Sequence, residues 1–233
     1  MSFDPPSSPL GLNLLLGAVL GLAGLFMSFL GWLVESPWLR RHHTRDDKVA
    51  KIPDGHRTSM VVGSSIVSTG TVLGLLNLLP ATFLATGPAS LPRIVFEGLA
   101  ILLTYDLGYY LLHRFVLHEW TWGSRIHAIH HRIRTPFTRD SLYVHPLETA
   151  AGVGLLMCCT WLVGPVHPWS FGWAFLLYST LNVFIHSAFY LPQVPFRWLS
   201  RLAANHDVHH ASMKGGYYAS ITPLWDIVFR TNR

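Results

Sequence analysis

The sequence predicts an all-α protein: a multi-pass transmembrane helix bundle of about four to five spans, with a cytoplasmic helical cap carrying a histidine-rich site for two metal ions. Two observations predict it. Of 233 residues, 50% are hydrophobic and only 12% charged, and the apolar residues gather into runs long enough to cross a bilayer. The histidines are as unevenly placed: ten of fourteen fall into HRFVLH (His113, His118), HAIHH (His127, His130, His131), His145, His186 and HDVHH (His206, His209, His210).

Residues 10–34 carry no charge and exceed the ~20 residues a span needs, so they form the first span. The run lacks a basic start and a small-residue cleavage site, which predicts a retained helix and not a cleaved signal. A charged loop follows over 35–57, where His42, His43 and His56 lack the triplet spacing and read as solvated. Further spans are expected at 59–80, 94–113, 147–165 and 169–188, separated by prolines or charged loops. Residues 1–99 thus hold the early spans and a basic loop, and 100–233 hold the patterned histidines, the two regions forming one integrated membrane domain. Arg40, Arg41, Arg45, Lys48, Lys51 and Arg57 follow span one, five arginines lie between Arg114 and Arg139, and five cations follow the last span. Only Arg93 stands on the other side, so the positive-inside rule puts the N-terminus outside and every patterned histidine at the cytoplasmic face.

The net charge of +5 is accounted for by these loops meeting anionic headgroups. No nucleic-acid module is present. Cys158 and Cys159 are adjacent inside an apolar run and read as packing residues, not a disulfide or thiolate site. The glycine-rich phosphate motifs are absent, so reducing equivalents must come from an external electron-transfer protein.

Residues three and four apart share a helix face, so each HxxHH unit aims two or three imidazoles at a common point. Eight to ten imidazoles exceed one coordination shell, which implies two ions; an all-nitrogen set suits Fe, Zn, Cu or Ni and not Mg or Ca. His145 precedes Pro146 and admits two readings, a ligand or a helix cap with Glu148 as the acid favoured by the helix dipole. Asp106 lies two turns before His113 on one helical face and is the first candidate to orient a ligand ring; Glu148, Asp207 and Asn182 are others, with Glu119 and Asp140 behind them. Glu97 is expected to pair with Arg93 at helical spacing, and His167 to be solvated at the opposite face. Most aromatic residues are expected to be interface anchors. Tyr109, Tyr143, Phe184 and Phe189, beside the histidine motifs, are candidates for walls of a lipid channel.

The motifs DLGYYLLHRFVLH (106–118), Trp122 to HAIHH (131), VHPLE (144–148), NVFIHSAFYLP (182–192), NHDVHH (205–210) and LWDIVFRT (224–231) occur in an order that resembles the fatty acid hydroxylase and sterol desaturase superfamily of integral-membrane di-iron oxygenases. The resemblance implies metal ligation by His113, His118, His127, His130, His131, His206, His209 and His210, with His186 and His145 as additional ligands. It implies two iron ions, replaceable by zinc in a purified sample, with O2 as co-substrate. The implied reaction is hydroxylation of a lipid (an acyl chain, a sterol or a related molecule), with desaturation at the same site as the alternative. Two departures stand out: Asn182 where some members have the first histidine of HxxxH, and Arg230 where many have glycine in WDxxFGT. A non-enzymatic haem or metal protein is the reading from another class. Haem needs only one or two axial histidines and a transporter places ligands near mid-membrane, so two HxxHH units outside the spans weigh against it. The bacterial inner membrane and the endoplasmic reticulum are both compatible locations.

Overall fold

The computed structural model describes residues 2–40, 52–187, 189–190 and 197–233. His42 and His43 of the first loop lie outside them. Ten helices follow one another among the described residues: α1 (Pro9–Val34), α2 (Pro37–Arg40), α3 (Asp54–Leu78), α4 (Pro80–Phe83), α5 (Leu91–Leu111), α6 (Thr121–His127), α7 (Pro146–Val163), α8 (Pro168–Ile185), α9 (Arg197–Ala211) and α10 (Leu224–Val228). Proline opens α1, α7 and α8, where its missing N–H is unsatisfied in any case and its fixed φ suits the first turn. Ser8 caps α1, its hydroxyl accepting from Gly11 N at 3.1 Å.

Four helices are long and apolar enough to cross a membrane: Pro9–Val34, Asp54–Leu78, Leu91–Glu119 and Pro146–Val163. The stretch expected as a fifth span, 169–188, does form α8, but it falls short of that apolarity among the described residues. Its position supplies the reason. Because α8 packs against α1, α5 and α9, a polar residue such as Ser170 faces protein and not hydrocarbon. On α1, by contrast, Leu14, Leu25 and Trp32 are exposed, as lipid contact requires.

The helices run alternately, so their ends collect in two places. At one end β1 (Ser2–Phe3) pairs antiparallel with β2 (Ala89–Ser90), and Leu84 bridges to Val166. There Glu97 accepts from Arg93 Nε at 2.6 Å, as the spacing predicted, and also from His167 N and Ser170 Oγ at 2.7 Å each. His167 is therefore not solvated: it is fully buried, with Nδ1 capping α8 at Trp169 N. At the other end Glu35 accepts from Thr138 Oγ1 at 3.2 Å, Ser64 Oγ donates to Val144 O at 2.9 Å, and Arg57 Nε meets Asp140 Oδ1 at 3.2 Å. His56, expected to be solvated, lies half-buried against Tyr143 with ring centroids 5.8 Å apart. This second end is where the patterned histidines stand. Between the ends Leu16, Leu76, Ile101, Leu156 and Phe171 are buried in one apolar core.

Candidate metal centre

His113 and His118 are five residues apart, which on an α-helix turns them about 140° away from one another. The chain resolves this by changing helix type. From Leu112 to Glu119 the helix continuing α5 is a π-helix, whose i→i+5 period restores a shared face, and the two rings come to 5.0 Å between centroids. The approach of α6 to this helix requires Gly123, since a Cβ there would run into the carbonyl oxygen of Val116.

The two HxxHH units do not each point at one place; each splits. Nine imidazoles form two groups, His113, His118, His127, His131 and His209 in one and His130, His186, His206 and His210 in the other, with donor atoms within 4.8 Å of one another inside each group. The i,i+4 pair of a triplet serves one group and the histidine between them serves the other. Thus His127 and His131 join the first while His130 joins the second, and His206 and His210 join the second while His209 joins the first.

Within each group Nε2 faces Nε2. In the first, His113–His127, His131–His127, His131–His209 and His118–His209 stand at 3.0, 3.0, 3.1 and 3.2 Å. In the second, His186–His130, His206–His186 and His210–His206 stand at 3.1, 2.9 and 3.1 Å. Seven of the opposite ring nitrogens are committed elsewhere. Nδ1 of His113, His118, His130, His186, His209 and His210 lies 2.6–3.0 Å from the carbonyls of Tyr218, Met213, Tyr143, Asn182, Gly216 and Ile133 respectively. Nδ1 of His127 lies 2.7 Å from Glu148 Oε1. An acceptor at Nδ1 puts the ring proton there and leaves a lone pair on Nε2. Lone pairs facing one another at 3 Å repel unless a cation lies between them, and two nitrogens each about 2.1 Å from one ion at a right angle would be about 3.0 Å apart. The donor set therefore fits two metal ions.

Loss of water around the rings disfavours their cationic form, pushing His130 down to about 4 and His131 to about 2 and holding His206, His209 and His210 well below the ordinary value. Neutral imidazole, the ligating form, thus prevails at pH 7.

The carbonyls that orient these rings come from segments that are themselves pinned. Asp226 accepts from Tyr218 N, Ala219 N and Thr231 Oγ1 at 2.8, 3.0 and 2.7 Å, fixing the strand of chain that meets His113. Asp226 stands in the LWDIVFRT motif, where no histidine lies nearby in sequence to mark it as a site residue. Gly216 must be glycine because a Cβ would meet the Thr231 carbonyl, and its own carbonyl holds His209.

Several expected roles are corrected. His145 belongs to neither group: its Nδ1 accepts from Leu147 N at 3.1 Å and caps α7. Asp106 reaches no histidine, because it accepts from Ile221 N and Thr222 N at 3.1 Å each and from the Thr222 hydroxyl. Tyr143 contributes its carbonyl to His130, and Phe184 and Phe189 pack with Val34 and Leu39 away from the cavity. Glu148 holds His127, Asn182 holds His186 through its carbonyl, and Asp207 is buried on α9 beside the ligands.

A cavity of 270 Å³ leads to the site, its floor formed by His113 and His127 of one group and His130, His186 and His206 of the other. Tyr109 is on its wall, with Tyr105 and Tyr178. Tyr105 stacks on Tyr109 at 5.5 Å, and Tyr109 is 5.2 Å from His113.

Fold and site together define a class: a helix bundle with four helices able to cross a membrane and two all-imidazole clusters that could each hold a metal ion, beneath a cavity between its helices. The family model described as Fatty acid hydroxylase matches residues 98–231, and the chain belongs to that family. It is similar to methylsterol monooxygenase 1 of Danio rerio, 31% identical over 135 residues, 54% of this chain and 43% of the relative. A cholesterol 25-hydroxylase-like protein of Danio rerio is 31% identical over 157 residues, covering 65% and 61%, and sphinganine C4-monooxygenase 2 of Arabidopsis thaliana is 31% identical over 139, covering 56% and 51%. The match thus spans about half the length of these relatives. No solved structure matches the chain.

Proposed function

We propose that this protein is a membrane di-iron oxygenase that hydroxylates a lipid, using O2 and electrons from a separate carrier protein. The observation that carries this reading is that both imidazole groups reach the floor of one cavity among apolar helices. The relatives whose names describe sterol and sphinganine oxygenation support the same substrate class. Iron bound by the two groups would activate O2, the oxidant, so that one oxygen atom enters an unactivated C–H bond and the other leaves as water with two electrons from the carrier and two protons.

The chain's own residues do the rest. The carbonyls and Glu148 fix the tautomer and direction of seven of the nine rings, so most of the ligand geometry is set before metal arrives. Burial of the histidines keeps bulk water from the reacting carbon. The walls at Tyr105, Tyr109 and Val153 shape the space in which a hydrocarbon chain would lie. The basic residues on either side of the histidine motifs favour, by the positive-inside rule, a cytoplasmic site to which a soluble electron carrier would have access.

The test is mass spectrometry of total lipids from cells with and without the protein, beside elemental analysis of membranes prepared with iron. A new hydroxylated lipid dependent on His130 supports the reading; an alkene in its place assigns desaturation, and no lipid change in an iron-loaded sample overturns it. Reporter labelling of residues near 40 and of the C-terminus on the same membrane face checks the orientation.

A further inference from the structure

The wall of the cavity has two origins. α5, α7 and α8 provide one side, with Tyr105, Val153 and Phe175. The other side comes from α1, through Leu20, Ala23, Gly24 and Met27, and from α3, through Ser64, Ser65, Ser68 and Thr69. Both of these helices precede residue 98, where the family match begins.

α1 leans mainly on α8 and α3 on α7, while α1 and α3 meet each other only slightly. A seam of small side chains is left between them. A Cβ on Gly24 would find no atom within 4 Å, so the space beside it is open. Ser65 spends its hydroxyl on Val61 O of its own helix at 2.8 Å, which lets a serine face an apolar occupant at little cost. A second cavity shares Gly24, Met27, Ser141 and Leu142 with the first and follows the same seam past Gly31 to Glu35, Thr138 and Arg139. The seam therefore runs from polar groups at the histidine end of the bundle to the histidines themselves. Its two sides are both tied to the same segment, α1 by Thr138–Glu35 and α3 by Val144–Ser64.

We infer that the seam between α1 and α3 is a lateral door through which a lipid's hydrocarbon chain passes from the bilayer to the histidines, its polar head staying near Thr138 and Arg139, and that Gly24 sets the door's width. This rests on the lipid-oxygenase reading above. The helices outside the family match would then select the substrate, while the matched region performs the chemistry. A chain arriving from lipid loses no hydrocarbon environment on the way, so transfer into the cavity meets no aqueous step. The α5–α7 and α5–α8 contacts are extensive and offer no comparable gap.

The experiment compares Gly24→Phe with Gly21→Phe in purified full-length protein. A Cβ at Gly21 also meets nothing within 4 Å, yet Gly21 lines neither cavity. Photolabelling uses octadecanoic acid bearing a diazirine, with peptides mapped by mass spectrometry and metal content measured on the same samples. In the unaltered protein, label is expected within 20–27 and 64–69. Gly24→Phe should reduce it at 64–69 about tenfold, in the range that small pocket changes give, at unchanged metal content, and Gly21→Phe should not. Ser68→Leu, closing the seam from α3, should act as Gly24→Phe does and answers the question if that variant fails to insert. Label and turnover as in the unaltered protein in both seam variants would overturn the door while leaving the oxygenase reading standing. Absence of label in the seam of the unaltered, metal-loaded protein that still hydroxylates lipid would also overturn it. No label and no lipid turnover in any loaded sample would instead remove the lipid-oxygenase reading, and the door with it.

Discussion

His127 and Glu148 stand 2.7 Å apart, Nδ1 to Oε1, in the interior of the histidine cluster, while six other histidines of the two groups direct Nδ1 to backbone carbonyls. An ionised carboxylate raises imidazole basicity more than a carbonyl does. His127 is thereby the member of its group whose Nδ1 meets a side-chain acid. It also reaches the cavity floor.

Replacing Glu148 by glutamine keeps an acceptor for His127 but removes the charge. Metal affinity is expected to fall by about 10-fold, toward the lower part of the range for loss of an outer partner, and by about 100-fold for Glu148→Leu. Competition with a chelator of known affinity measures both. Unchanged affinity in both variants would show that the contact is packing alone.

His145 and His186 give opposite expectations. His145→Ala should leave two metal ions per chain and cost about 1 kcal/mol of stability through the lost cap at Leu147 N. His186→Ala removes one of the four donors of the second group and should lower metal content toward one ion per chain. Elemental analysis beside thermal unfolding separates the two. A fall in metal content for His145→Ala would return that residue to the ligand set.

For Asp106→Asn the expected effect is on stability first, because its carboxylate accepts from Ile221 N, Thr222 N and the Thr222 hydroxyl and meets no ligand ring. Weakening charge-assisted bonds at a buried site should cost about 1–3 kcal/mol, with metal stoichiometry preserved. Asp226→Asn should cost stability and also loosen metal, since Asp226 pins the chain that presents the Tyr218 carbonyl to His113. Equal loss of metal affinity in the two variants would contradict this division.

Backbone conformation near the C-terminus makes a further pair. Gly216→Ala drives a methyl into the Thr231 carbonyl and should displace the carbonyl that holds His209, lowering metal content without preventing membrane insertion. Arg230 adopts φ +57°, a left-handed conformation that costs a non-glycine residue about 1–2 kcal/mol. Arg230→Gly, which restores the residue common in the resembling family, should raise stability by about 1 kcal/mol after the added chain entropy is counted. Unfolding midpoints in detergent check the sign.

What the sequence by itself determined is local. Uncharged apolar runs such as 10–34 dictate helices that must satisfy their own backbone in lipid, and the HxxHH spacing dictates imidazoles on neighbouring helix turns. The order of the motifs from 106 to 231 carries the family resemblance without any tertiary information. What only the tertiary structure decided is rotational phase and long-range partnership. Helix phase splits each triplet between two groups, and the π-helical turn brings His113 and His118 together across a spacing that an α-helix would spread apart. The acceptors of His113 and His118 come from residues 105 and 95 positions away, and the partners of Asp106 from 115 and 116 positions away. Periodicity relates residues within a few helical turns of one another. Which carbonyl meets which ring depends on how separate helices pack, and that is settled only when the bundle closes.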